Sequence, residues 1–158
     1  MKTLEAKMLA NKLTSIEKVL VAVDLSDHSK ATVFYAAEMA RSFAASLTIV
    51  HVHQPVALYE CTSETTCTLL DDQRRDLEKR LEELKRQVGE TGVACESVYL
   101  FGEPAEQISD LAREIDADLI VTACHHPSFL GRLFNLNKAP KLMHRAPCPV
   151  LVYHEKNA

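Results

Sequence analysis

Histidine and cysteine side chains near the middle of this chain have the right chemistry to bind a metal ion. His51 and His53 alternate within a segment of strand-like composition, so both imidazoles would lie on one face, and Cys61 and Cys67 follow in a polar segment. Five residues separate the two cysteines, whereas roughly two to four are usual between paired zinc ligands. We therefore expect no bound metal, and these four residues are weak candidates for a metal or redox sensor.

A second histidine pair, His125 and His126, stands directly after Cys124. Imidazole titrates near neutral pH and binds Zn, Ni or Cu, so a metal site or a pH-sensitive latch is one interpretation. Adjacent residues rarely ligate one ion, and the sequence contains no H-E-x-x-H or C-x-x-C motif. We expect instead that one ring packs over a crevice while the other meets solvent. Cys124 and Cys148 are expected to be buried and unreactive.

No candidate nucleophile in this sequence has the neighbouring groups that activate it in an enzyme. Ser26 and Ser128 are not part of a nucleophile elbow, and no third group is available to orient a histidine base beside Cys124. The sequence therefore predicts a protein that is not an enzyme.

Strand and helix patterns alternate along the chain, which is typical of an α/β protein with one doubly wound parallel sheet and helices on both faces. Short runs rich in Val, Leu and Ile predict strands that are covered on both sides. The predicted strands are 18–24, 47–52, 94–100, 119–121 and 150–153. The predicted helices run from a cap at Ser26 or Asp27 to about Ala45, over 69–88, from Pro104, and over about 138–144.

Composition limits the class of protein. A chain of 158 residues with 47% hydrophobic residues suits one domain, placed at 17–158, and residues 1–16 form an extension that is either a short amphipathic helix or disordered. The net charge of -4 does not favour nucleic-acid binding. No apolar run predicts a signal peptide or a membrane span, so we expect a cytoplasmic protein. Five cysteines at irregular spacing indicate reduced thiols.

The strand motifs occur in a distinctive order. They are Val19-Leu20-Val21-Ala22-Val23-Asp24-Leu25-Ser26, Ile49-Val50-His51-Val52, Gly102-Glu103-Pro104-Ala105, Ala117-Asp118-Leu119-Ile120-Val121 and Ala146-Pro147-Cys148-Pro149-Val150-Leu151-Val152. Over roughly residues 18–152 the chain thus resembles the universal stress protein family. The resemblance implies an adenine nucleotide alpha hydrolase-like, Rossmann-like fold with strand order 3-2-1-4-5. It also implies a homodimer joined through the last strand, at Val150, Leu151, Val152 and Tyr153, whose apolar edge would otherwise be exposed.

The resemblance also implies where a nucleotide would bind. Nucleotide-binding members of the family hold phosphates with a G-x-x-G motif after the fourth strand and a Gly-Ser pair further on. Those positions carry Ala123, His126, Leu136 and Asn137 in this chain. Glycine lets a backbone approach a phosphate, and larger side chains fill that space. The chain therefore resembles the branch that lacks the ATP-binding glycines. The degenerate site comprises Asp24, Val52, Thr122, Ala123, His125, His126, Leu136 and Asn137.

Two classes of function follow. The favoured one is a non-enzymatic stress-response protein that acts as a homodimer through protein partners and needs no cofactor. The alternative is a member that binds ATP or another nucleotide, with weak hydrolysis or none. Asp24 has a corresponding pair of interpretations, because a carboxylate there can contact a nucleoside or simply cap the helix that follows.

Overall fold

Runs of branched apolar residues form the strands of one parallel sheet in this computed structural model. The structure describes residues 3–5, 15–54, 64–123 and 139–155, without the side chains of residues 64–70 and 139. The strands are β1 (Lys18–Val23), β2 (Ser46–His53), β3 (Cys95–Phe101), β4 (Leu119–Ala123) and β5 (Val150–Tyr153). The helices are α1 (Ser29–Phe43), α2 (Glu64–Gly89), α3 (Pro104–Glu114) and α4 (Ala139–Arg145). The order β3-β2-β1-β4-β5 confirms the predicted topology.

Both faces of the sheet are covered, which explains why the strands are apolar without alternation. The first core lies under α1 and α2 and includes Val21, Ile49 and Val121. The second lies under α3 and α4 and includes Leu20 and Ile120. Successive residues of a strand point to opposite faces, so a strand buried on both sides needs an apolar residue at each position.

The start of α1 differs from the prediction that Ser26 or Asp27 caps it. His28 occupies the N-cap position, and its side chain makes no capping hydrogen bond. The N–H of Ser29 instead donates to the carbonyl of Ser26 at 3.0 Å, because a short turn separates β1 from the helix. At the other end, Ala44 is the left-handed C-cap and is exposed.

Helix α2 starts earlier than expected, at Glu64, and its 26 residues span about 39 Å. Residues 71–76 are all exposed. Among the described side chains of this helix, the inward stripe comprises Leu77, Leu81, Leu84 and Val88. The side chains of residues 71–76 therefore face solvent.

Asp118 joins β1 to β4 at the amino end of the sheet. Its Oδ2 accepts the backbone N–H groups of Glu17 at 2.9 Å and of Lys18 at 3.0 Å. The Nζ of Lys18 donates to the carbonyl of Ile115 at 2.8 Å. These bonds fix the register in which the two central strands begin. Within the described ranges, no helix has the length and apolar character needed to cross a bilayer.

Candidate functional site

The carboxyl ends of β1 and β4 form the natural ligand position of this fold. β1 pairs with β2 on one side and with β4 on the other, so the strand order reverses between β1 and β4. Ligands of such sheets bind outside the carboxyl ends at this reversal. Asp24 follows β1 directly, Thr122 and Ala123 end β4, and Val52 lies near the end of β2. These four predicted site residues therefore lie at one edge of the sheet.

Asp24 is held in place by hydrogen bonds to the turn that follows it. Its Oδ1 accepts the backbone N–H of Ser26 at 2.9 Å and the hydroxyl of Ser29 at 2.8 Å. Leu25, between Asp24 and Ser26, has a φ of 60° and is only 4% exposed. A left-handed conformation is unfavourable for leucine, so burial of its side chain must offset the strain. The carboxylate thus has a local structural role in the turn between β1 and α1.

Buried oxygens without hydrogen-bond partners are concentrated at this carboxyl edge. Among the described side chains they include Ser26 Oγ, Thr122 Oγ1, Tyr99 OH and Glu103 Oε1, with Gln87 Oε1 as one on α2. Native proteins pair most of their buried polar groups with protein atoms, water or ligands. Ser26, Thr122 and Glu103 lie at the ends of β1, β4 and β3, whereas Tyr99 lies within β3, and all four oxygens are fully buried.

Sequence reasoning did not identify Ser26, Tyr99 or Glu103 as site residues. Glu103 is visible as a motif, because a carboxylate before Pro104 is a capping signal. Its Oε2 accepts the N–H of Glu106 at 2.9 Å. Which of its oxygens would be left unpaired depends on the tertiary packing of α3, and no local pattern records that.

His51 is a buried histidine at the same end of the sheet. It is 6% exposed, and its Nδ1 lies 3.0 Å from the carbonyl oxygen of Val23, the last residue of β1. A carbonyl only accepts hydrogen bonds, so Nδ1 carries the proton. Burial lowers the pKa of His51 because it disfavours the charged ring. The bond to Val23 opposes this, neighbouring His53 lowers the pKa further, and Asp24 raises it.

The lowered pKa of His51 predicts an acid-sensitive contribution to stability. The unfolded chain, where the pKa of the ring is near 6.5, binds the proton more tightly than the folded chain does. The free energy of unfolding contributed by His51 should therefore be complete above about pH 6.5 and be lost as the pH falls through the lower folded-state pKa. Urea unfolding at several pH values measures it.

A matched pair of variants isolates this contribution from the carboxylates, which also titrate in acid. His51→Asn keeps a donor for the Val23 carbonyl but cannot titrate, so its stability should fall less on acidification than that of the wild type. His154→Asn, at an exposed position, is the control and should follow the wild type. Parallel pH profiles for wild type and His51→Asn would contradict the assignment.

The predicted alignment of His51 and His53 on one face is observed, and aromatic rings surround both. The Tyr99 ring lies 5.3 Å from His51 and 6.3 Å from His53, and the Phe101 ring lies 5.6 Å from His53. The guanidinium of Arg74 lies 5.2 Å from the centre of the Phe101 ring. The described residues include no group of three or more metal-ligating side chains. Cys61 and the side chain of Cys67 lie outside them.

Several other predicted residues also lie outside the described part of the chain: Cys124, His125, His126, Leu136 and Asn137. Cys148 is described, and it is half-buried rather than fully buried, because the turn before β5 leaves part of it accessible. Desolvation raises the pKa of Cys148, and it raises that of Cys95 to about 11. Both thiols are therefore protonated near neutral pH and weakly nucleophilic.

The edge strand β5 is half-buried at all four of its positions. Tyr153 stacks on Tyr35 of α1, with ring centres 4.5 Å apart. Beyond the strand, Oε2 of Glu155 lies 2.9 Å from Nδ1 of His28. Helix α1 therefore supports the strand from one face, while one edge of its backbone has no neighbouring strand in the described sheet.

Comparison with known proteins identifies the family. The model of the universal stress protein family matches residues 15–154. The chain belongs to the universal stress protein family. Universal stress protein YxiE of Bacillus subtilis is 32% identical over 145 residues, which cover 85% of this chain and 97% of that protein.

Two solved universal stress proteins share the fold and contain nucleotides. One, crystallised in complex with cAMP, has a TM-score of 0.66 at 24% identity, with 90% of this chain and 100% of that chain covered. Another, from Archaeoglobus fulgidus in complex with dAMP, has a TM-score of 0.63 at 23% identity, with 88% and 98% covered. At these identities the likeness establishes the fold of the present chain.

Proposed function

We propose that this universal stress protein is a non-enzymatic, cytoplasmic stress-response protein that acts as a homodimer through protein partners. The observation that carries the proposal is the β5 edge, where half-buried apolar residues and an unpaired strand edge adjoin exposed apolar side chains. Such an edge favours pairing with a second chain.

The dimer surface would extend to both sides of β5. Tyr35 is exposed and stacks on Tyr153, so the two rings form an aromatic patch beside the strand. Aromatic side chains at the centre of an interface contribute much of its binding free energy. In a dimer with a two-fold axis, the same surface of both copies forms the interface. The aromatic patch of one copy would therefore face the aromatic patch of the other.

Placing a charge on this aromatic patch should separate the dimer. A central tyrosine contributes about 2 kcal/mol, so Tyr35→Glu should weaken association roughly thirtyfold. Light scattering should give twice the chain mass of 17.6 kDa for the wild type and the single mass for the variant at low micromolar concentration.

Phe43→Glu is the control for this experiment, since Phe43 is an exposed aromatic at the opposite end of the same helix. It should leave the dimer intact. A wild-type protein with the mass of one chain at micromolar concentration would refute the proposed dimer, and equal effects of the two variants would place the interface elsewhere.

A second candidate function is nucleotide binding without hydrolysis at the carboxyl edge. The reversal of strand order between β1 and β4 supports it, as do the complexes of structural relatives with cAMP and dAMP. Calorimetry with adenine nucleotides, including ATP, tests binding, and an assay for released phosphate tests hydrolysis. We expect saturable binding and no phosphate release. The absence of heat with any nucleotide would leave the dimer proposal intact and remove this one.

A further inference from the structure

The strand β3 forms one end of the sheet, opposite the β5 edge that the proposed dimer uses. It pairs with β2 on one side, and no described strand lies on its other side. All seven of its residues are half-buried or exposed, and Phe101 is 49% exposed. An open edge of this kind presents a row of backbone donors and acceptors that a further strand can pair with.

Two hydrogen bonds show which residues of β3 turn their backbone groups outward. The N–H of Leu47 donates to the carbonyl of Ala94 at 2.9 Å, and the N–H of Gly102 donates to the carbonyl of His53 at 3.0 Å. Alternate residues of a strand direct their backbone groups to the same side. The even-numbered residues 94–102 therefore bond to β2, and the odd-numbered residues 95–101 turn their N–H and C=O groups to the outer edge.

The two faces of the sheet beside this edge differ in chemistry. Val98 and Leu100 pack against the core under α3 and α4, but they are only half-buried. A side chain that lay next to them on an added strand would contact apolar atoms. Cys95 and Tyr99 point to the opposite face, where they pack against the core under α1 and α2.

Acidic residues follow the α2 side of the edge. Oε1 of Glu82 accepts the hydroxyl of Ser97. Glu78, one helical turn earlier, lies within electrostatic reach of Tyr99. Glu96 of β3 adds a third carboxylate, and its side chain is 79% exposed. An added strand would therefore place side chains close to several carboxylates.

Two cations offset these carboxylates only in part. Arg74 pairs with Glu78 at 2.8 Å, and Lys85 lies 3.7 Å from both Glu82 and Glu96. This linked set of charges along β3 is net negative, which favours basic side chains on an added strand. A second copy of β3 would bring the same acidic row against itself. The charge therefore favours a different protein as the occupant.

We propose that the outer edge of β3 binds an extended segment of a partner protein in which apolar and basic residues alternate. The segment adds a strand to the sheet and pairs with the outward backbone groups of residues 95–101. Its apolar side chains lie beside Val98 and Leu100, and its basic side chains lie beside Glu78 and Glu82. The inference rests on the part of the proposed function that invokes protein partners, and not on the dimer at β5.

The probe is a fluorescein-labelled peptide of alternating lysine and valine, about nine residues long so that it spans β3. It is titrated with the full chain and followed by fluorescence anisotropy. We expect saturable binding that weakens as the salt concentration rises from about 0.05 M to about 0.5 M. A peptide of alternating glutamate and valine has the same backbone and the opposite charge, and it should bind about tenfold more weakly.

Hydrogen exchange followed by NMR shows whether the backbone of β3 makes the contact. The bound peptide should slow exchange at the amides of Ser97 and Tyr99, which point outward. The amides of Val98 and Leu100 already bond to β2, so their exchange should change less. Peptide binding without this alternation would contradict strand addition.

A pair of variants at one position tests the backbone contact a second time. Ser97→Pro removes an outward N–H and leaves the bonds to β2 in place, because proline is tolerated on the open side of an edge strand. It should weaken peptide binding about fivefold. Ser97→Ala is the matched control, since it removes the hydroxyl and keeps the N–H, and it should bind as the wild type does. Equal affinities of the two variants would contradict the proposal.

A second pair of variants tests the acidic row. Glu78→Gln combined with Glu82→Gln removes two carboxylates from the edge and should weaken peptide binding about fivefold. Glu38→Gln combined with Glu114→Gln removes the same charge from exposed positions on α1 and α3, and it should leave the affinity unchanged. Equal effects would show that the peptide responds to the net charge of the protein, and the proposed site would be wrong.

The dimer and the partner edge fail separately. If the lysine and valine peptide does not bind while light scattering shows the dimer, strand addition at β3 is wrong and the dimer stands. If the peptide binds and the protein has the mass of one chain, the dimer is wrong and the partner edge stands.

Discussion

Leu142→Ala should lower the free energy of unfolding by about 2–5 kcal/mol, the range for truncating a fully buried leucine. Leu142 is 1% exposed and belongs to the core under α3 and α4. It is the only buried side chain among the described positions 140–145 of α4. Its loss removes the anchor of that helix as well as leaving a cavity. Urea unfolding followed by circular dichroism measures the change.

The neighbouring residue supplies the control. Met143 lies on the same helix, is 56% exposed and loses a similar number of atoms on truncation to alanine. Met143→Ala should change the free energy of unfolding by no more than about 0.5 kcal/mol. Similar losses for the two variants would show that α4 contributes through helix propensity and not through burial of Leu142.

Asp118→Ala should cost about 1–3 kcal/mol of unfolding free energy, because it removes the acceptor of two backbone N–H groups at the start of β1. A charged acceptor makes each of these bonds stronger than a neutral pair. The loss should also appear in hydrogen exchange, with faster exchange at the amides of Glu17 and Lys18. Thermal and urea unfolding give the magnitude.

Asp110→Ala is the control, because it shows how much stability is lost when an aspartate on the surface is removed. Asp110 pairs with Arg113 at 3.0 Å on the exposed side of α3, and surface pairs of this kind contribute little. Its removal should change stability by less than about 1 kcal/mol. If the two variants were equally destabilised, the hydrogen bonds of Asp118 would not be what holds β1 to β4.

The strands and their order could be predicted because the signals for them are local or follow from the resemblance. Runs such as 18–23 and 119–123 are apolar at nearly every position, which only a strand covered on both faces requires. The start of α2 was missed because residues 64–68 are mostly threonine and carry no apolar stripe in the sequence. The cap of α1 was missed because the Asp24 carboxylate, and not Ser26 or Asp27, organises the turn.

The site was only partly predictable from the sequence. Asp24, Val52, Thr122 and Ala123 were placed at one edge by the resemblance, and the structure brings them there. Other features depend on contacts between segments that are distant along the chain. They are the hydrogen bond from His51 to Val23 and the unpaired oxygens of Thr122 and Glu103. Such contacts leave no periodic trace in a sequence, so only the folded arrangement reveals them.

The left-handed backbone at Leu25 ties the position of the Asp24 carboxylate to the core beneath α1 and α2. Leu25 is buried in that core, and the neighbouring Asp24 carboxylate accepts hydrogen bonds from the turn and from Ser29 of α1. The strained turn persists only while the Leu25 side chain stays buried. Repacking beneath α1 would therefore relax the turn and move the carboxylate.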